Sequence, residues 1–196
     1  MAEISVELIK KLKELSGAGL TDAKKALVEA DGDFDKALEA MRKKGLTKAE
    51  KRGDRETREG LVEAYIHDGR LGAIVEVNCE TSFVAKTDEF KTLAHQIAMQ
   101  VASMAPLYVS EDDIPEEARA AKIAELEENF KGPENMKEQI LAGQVKKAFS
   151  DKVLLNQPYI LDDSKTVEQF IKEAIAKTGE NITVRQFKRI ELGVTE

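Results

Sequence analysis

The hydrophobic period changes at Gly60, and this change limits the fold more than any other feature of the chain. Before it, apolar residues recur at three- and four-residue spacing, as on one face of a helix. Leu8, Ile9, Leu12 and Leu15 form a first stripe, with Ser5 placed to cap it and Gly17 to stop it. Ala23, Ala26, Leu27 and Ala30 form a second, with Thr21 as its predicted cap and Asp22 in its electropositive first turn. Phe34, Ala37, Leu38 and Met41 form a third, opened by Asp33 and closed by Gly45. Past Gly60 the period becomes two. Val62, Ala64 and Ile66 alternate with Leu61, Glu63 and Tyr65, and Asp68-Gly69 is a hairpin signal. Ala73, Val75, Val77 and Cys79 then alternate with Ile74, Glu76, Asn78 and Glu80.

The helical period returns after a short loop. Thr87 is placed to cap a helix carrying Phe90, Leu93, Ala94, Ile97, Val101, Met104 and Ala105, which Pro106 ends. Pro115 suits the first turn of a further helix, and 134–152 reads as another. Thr166 opens a helix to Lys177, stopped by Gly179. Asn181–Leu192 reads as a final strand with a flaw: Ile182, Val184, Ile190 and Leu192 share a face that Phe187 does not, which calls for a bulge or a two-sided strand. The predicted fold class is α+β: a three-helix module over 1–45, a charged linker over 46–59, then over 60–196 a small antiparallel sheet covered by helices.

Charge supports the same division. Residues 1–59 hold 14 Lys and Arg against 13 Asp and Glu, a net +1, and residues 60–196 hold 16 against 24, a net −8, so the acidity of the chain (net −7) lies in the second part. In 46–59 the mixed charges leave no face to bury, which predicts a solvated linker or exposed helix. The acidic total opposes general nucleic-acid binding, which needs a basic face. One cysteine permits no internal disulfide, and no apolar run reaches a membrane span or resembles a signal peptide. A soluble, cytoplasmic protein with no membrane partner is the expectation.

Catalysis needs positioned nucleophiles, bases or metals, and this chain supplies few. Cys79 shares its predicted strand face with Val75 and Val77, where a thiol acts as a small hydrophobe. His67 falls at the hairpin end and His95 on the polar side of its helix, neither at metal-ligand spacing with another His or Cys. Gly17-Ala18-Gly19 follows a helix rather than a strand, which excludes a phosphate-cradling loop. No cofactor, metal or chemical catalysis is expected. Two segments stand apart. Gly17-Ala18-Gly19-Leu20 is an apolar tip between helices. Glu80-Thr81-Ser82-Phe83-Val84-Ala85-Lys86 places an aromatic in a loop, either as a plug returning to the core, the commoner fate of aromatics, or as an exposed anchor.

These segments, in this order, resemble the bacterial translation elongation factor Ts family. Leu12–Leu27 looks like its N-terminal signature around a T/S-G-A-G motif. Glu76-Val77-Asn78-Cys79-Glu80-Thr81-Ser82-Phe83-Val84-Ala85 is similar to its E-x-N-x-x-T-D-F-V-A signature, and Gly179-Glu180-Asn181-Ile182 to its G-E-N-I strand. The length resembles the short form, which lacks the second half of the core and the inserted coiled-coil arm. The resemblance implies a ubiquitin-associated-like head and a guanine-nucleotide exchange factor for elongation factor Tu. It implies that Leu20 and Thr21 dock on the GTPase domain. It implies that Thr81, Ser82, Phe83 and Val84 intrude near the magnesium site, with Phe83 wedged between two GTPase helices. It also implies a homodimer paired through the core, with the final strand as the candidate contact and no intersubunit disulfide from a buried Cys79. Ser82 departs from the family's Asp, removing a charge next to the cation site. Two other readings stay open: a binding module that uses only the three-helix head, and an acidic adaptor acting through 111–128, a segment read otherwise as a solvated helix.

Overall fold

The computed structural model describes residues 4–16, 18–130, 132–133 and 136–194, and of 46–48 the backbone alone. Three helices come first: α1 (Val6–Ser16), α2 (Leu20–Glu29) and α3 (Phe34–Glu50). Ile9, Leu12, Ala23, Ala26, Leu27, Ala37 and Met41 form their shared core. Alanine dominates α2's inner face, which lets the neighbouring helices approach closely. Ser5 caps α1 through the Leu8 N–H at 3.1 Å, and Asp33 caps α3 through the Lys36 N–H at 3.1 Å. Leu15, expected in the α1 stripe, is exposed. The predicted stop at Gly17 lies outside the described residues.

Two expectations fail at the end of the head. Helix α3 runs through Gly45 to Glu50. The glycine is a close-packing site: a Cβ there would lie 3.2 Å from Ala176 Cβ. Nor is 46–59 without a buried face. Ala49 is buried, Lys172 pairs with Glu50 at 3.5 Å, and Arg52 donates to the Ile175 carbonyl at 3.5 Å. A period count sees the charges of this segment but not the helix that packs on it.

Strands β1 (Glu59–His67) and β2 (Leu71–Cys79) form the expected hairpin, turned at Asp68 and Gly69, whose φ values are +48° and +67°. Both are left-handed, as the tightest right-twisting hairpin turns require. At Gly60 φ is +151°, and a Cβ would sit 2.2 Å from the Val77 carbonyl oxygen. Glycine therefore begins the sheet because no side chain fits. Strand β5 (Ile182–Glu191) completes a three-stranded sheet of order β1-β2-β5. Leu192 N–H bonds the Arg70 carbonyl at 2.8 Å, so β5 runs antiparallel to β2. Burial in β5 changes parity: Ile182 and Val184 are buried, Arg185 and Gln186 are both exposed, and Phe187 is half-buried. The change of face comes at Arg185 and Gln186, which is where the out-of-phase Phe187 required a bulge or a two-sided strand.

Helix α4 (Ser82–Ala85) is one turn, followed by α5 (Asp88–Met104) with Thr87 as its cap. Residues 111–113 form a 3-10 turn, and α6 (Glu116–Glu128) and α7 (Lys137–Ser150) form a helical hairpin. No residue of α6 is buried, as expected of a solvated acidic helix. Leu141, Val145 and Phe149 are the buried face of α7. A two-stranded ribbon, β3 (Pro158–Tyr159) and β4 (Asp162–Thr166), leads into α8 (Val167–Thr178). The α+β class is as predicted, with no described helix long and apolar enough to cross a membrane. The chain divides into two compact units, one of Met1–Val62, Glu76–Ala94 and Gln169–Val184, the other of Glu63–Val75, His95–Glu168 and Arg185–Glu196.

Candidate functional site

The Phe83 turn lies within the first unit. Strand β2 ends at buried Cys79, whose thiol donates to the Thr81 carbonyl at 3.2 Å. Burial pushes that thiol up from its ordinary range, with the Glu180 charge adding to the effect. Thr81 is extended (φ −130°, ψ 149°) and caps α4, its hydroxyl accepting the Val84 N–H at 3.4 Å. The turn is seated by Ala85, which is buried, while Val84 is half-buried. Phe83 points away from this seat and is 84% exposed. It is no plug returning to the core. Thr81 and Ser82 are exposed beside it. Ordered backbone with an unburied aromatic is the arrangement of a surface anchor.

The turn is held from outside its own sequence. Thr81 donates through both its N–H and its hydroxyl to Glu180, at 3.0 and 2.6 Å. In return the Asn181 N–H donates to Glu80 Oε1 at 2.6 Å. Asn181 is 2% exposed, and its amide donates to the carbonyls of Gly53 and Arg55 at 3.1 and 2.8 Å. Gly179, at φ +79°, ends α8 and reverses the chain into this junction. The residues supporting the loop were legible only as a strand start; their separation of about a hundred positions gave no local signal.

At the head, α2 begins two residues earlier than predicted. Gly19 is the cap position, so Thr21 does not cap but lies exposed in the first turn. Leu20 is the first helical residue and is 53% exposed, although it is a large aliphatic side chain next to an apolar core. A helix-start leucine held out in this way offers a second apolar contact.

Elsewhere the side chains suggest scaffold. His95 meets Glu63 at 3.0 Å, and His67 meets the Tyr65 hydroxyl at 2.9 Å, both histidines exposed. Among the described residues no three His, Cys, Asp or Glu come together as metal ligands. Gln100 and Gln157, both fully buried, bond each other at 3.1 Å and satisfy the carbonyls of Pro158, Met104 and Asp151. A cavity of about 690 Å³ between α6 and α7 has an apolar floor of Ile123, Leu141, Val145 and Phe149 with Arg119 and Glu138 at its rim.

The family model described as "Elongation factor TS" matches residues 7–194. Relatives named elongation factor Ts include that of Thermotoga maritima, 52% identical over 193 residues that cover 97% of each chain. That of Moorella thermoacetica is 50% identical, covering 94% of this chain and 93% of its own. That of Rippkaea orientalis is 51% identical over 98% of this chain but 80% of its own. A match of this extent, through the head, the Phe83 turn and the Gly179–Asn181 junction alike, places the chain in the elongation factor Ts family.

Proposed function

We propose that this chain is a guanine-nucleotide exchange factor that binds the GTPase elongation factor Tu in its GDP form and promotes GDP release during translation elongation. The observation that carries the reading is Phe83, 84% exposed on an ordered, capped turn. Burying such a ring in a partner contributes ~1.5–3 kcal/mol. That energy has a use beyond affinity. If Phe83, with Thr81, Ser82 and Val84 around it, occupies the partner only when its magnesium and phosphate site is distorted, the factor and GDP compete through conformation. The coupling is reciprocal: whatever the factor loses in binding to the GDP form, GDP loses in binding to the factor-bound form. A coupling of ~3 kcal/mol corresponds to roughly a 150-fold change in affinity. No bond is made or broken, so the activity is exchange without chemical catalysis. The cytoplasm is where such a partner works.

The head, residues 1–45, is the second contact, with Leu20 and Thr21 docking on the GTPase domain. Residues 46–59 connect it to a core, 60–196, that pairs with a second copy. Support for pairing comes from the outward sheet residues of the second unit, Ile66, Ile74 and Ile190, and from Leu192 just past β5, all large, apolar and exposed. Solvated sheet faces ordinarily alternate to polar residues.

The test is release of a fluorescent GDP from elongation factor Tu with the chain at substoichiometric concentration. Fast release over many turnovers is the expected result. Tight binding without release would replace the reading with that of a docking module using the head alone. Absence of binding would overturn both.

A further inference from the structure

A four-residue helix is too short to hold itself together in water. Helix α4 must therefore be ordered by its surroundings, and Phe83, exposed as it is, contributes nothing to that order. Ala85 seats one end. The other end is Thr81, an exposed residue whose N–H and hydroxyl both go to the Glu180 carboxylate. One Glu180 oxygen accepts the Thr81 N–H at 3.0 Å and the other accepts its hydroxyl at 2.6 Å. Charge-assisted bonds of this kind are the strong ones. The second has a directional consequence. By taking the hydroxyl hydrogen, Glu180 leaves the Thr81 oxygen's lone pairs to accept the Val84 N–H, which is the cap bond of α4. The carboxylate is itself located: Gly179 turns the chain at φ +79°, the Glu180 N–H donates to the Thr178 hydroxyl at 3.3 Å, and buried Asn181 ties the next residue to Gly53 and Arg55.

We propose that Glu180 is a positioning residue for the partner-binding turn, holding Thr81 so that Phe83 is presented in its binding conformation before the partner arrives. This rests on the exchange reading above. A turn ordered in advance does not have to be ordered during binding, which is the general advantage of preorganisation. Glu180 need not touch the partner for this.

The experiment uses the full chain with Glu180→Ala, Glu180→Gln, Thr81→Val, Phe83→Ala and the Glu180→Ala/Phe83→Ala double variant. Glu180→Ala is expected to lower the maximal rate of GDP release about tenfold, the scale of one lost hydrogen bond to a charged group. The half-saturating concentration is expected to move less than about twofold, because the head contact is untouched. In the Phe83→Ala background the same change should cost almost nothing, since the ring it positions is gone. Equal losses in both backgrounds, or none in either, would overturn the proposal. Glu180→Gln keeps the size and one acceptor oxygen, and Thr81→Val keeps the shape, so these serve where Glu180→Ala fails to fold. In both, amide hydrogen exchange at Val84 should accelerate about tenfold with the thermal midpoint little changed. Unchanged protection there would also overturn it. If the unaltered chain releases no GDP, the exchange reading fails, and the hydrogen-exchange result still decides whether Glu180 orders the turn.

Discussion

Ser82 and Phe83 are neighbours on one exposed turn and carry different chemistry. A serine hydroxyl brings no charge towards a cation, so an electrostatic share in displacing magnesium has no charged agent at this position. The ring brings apolar area, and Phe83→Ala is expected to cut the exchange rate at least tenfold, from ~1.5–3 kcal/mol of lost burial. Ser82→Ala should cut it less than about twofold, close to the ±0.5 kcal/mol usual for surface changes. Stopped-flow GDP release compares the two, and comparable small losses from both would refute the primacy of Phe83. Cys79 is the opposite kind of residue. Its thiol is fully buried and raised from the ordinary range chiefly by that burial, so at neutral pH the reactive thiolate is even scarcer than in a free cysteine. The native chain should resist a thiol reagent at pH 7 to 8 and react with one equivalent in denaturant. Rapid labelling of the native chain would contradict the burial. Cysteine's place on the strand was legible because a period of two needs only the neighbouring valines. The exposure of Phe83 was not legible from the residues alone, because a single loop aromatic has no period to show which way it faces.

At the scale of elements, capping chemistry was the most readable feature and also the source of an error. Ser5, Asp33 and Thr87 cap the helices predicted for them. Thr21 does not, because the helix begins at Leu20 and the N–H two residues on that a cap would accept, that of Ala23, is already bonded to the Gly19 carbonyl at 3.0 Å. Thr87 has two roles: its hydroxyl accepts the Phe90 N–H at 3.2 Å and donates to the Val84 carbonyl at 2.8 Å, joining the start of α5 to the end of α4. Thr87→Ala should cost ~1 kcal/mol of stability, the usual value of a lost helix cap. Denaturant unfolding gives the number, and a shift below a few tenths of a kcal/mol would show that the two helices do not depend on this residue. Gly45 illustrates the limit of local rules. A glycine after a helical stripe reads as a stop, but here it sits in mid-helix at a close approach, where an added Cβ would come within 3.2 Å of Ala176 Cβ. Strand β5 carries both lessons, since the out-of-phase Phe187 announced a change of face, but not that two successive residues, Arg185 and Gln186, would both be exposed to achieve it.

For the whole molecule, the unresolved apolar surface is the sheet. Ile66 and Ile190 are 71% and 75% exposed on the two edge strands, and Ile74 is exposed on the central one. Pairing with a second copy would remove this surface from water. Sedimentation at micromolar concentration is expected to show twice the 21.7 kDa chain mass, and Ile190→Lys to shift it to the single chain with GDP-release activity per head retained. A single-chain species for the unaltered protein would remove the dimer. The sequence by itself determined the longer helices and the three strands of the sheet, the α+β class, the hairpin turn and the family, but not the one-turn α4 or the β3–β4 ribbon, because period, caps and glycine positions are local properties of the backbone and such short elements show no period. The tertiary structure alone decided that Phe83 faces solvent, that 46–59 has a buried residue in Ala49, and that Glu80 and Thr81 exchange bonds with Glu180 and Asn181. Those outcomes depend on which distant segment arrives beside a residue. Burial and hydrogen bonding are settled by neighbours in space, and neighbours a hundred positions away leave no trace in any local pattern.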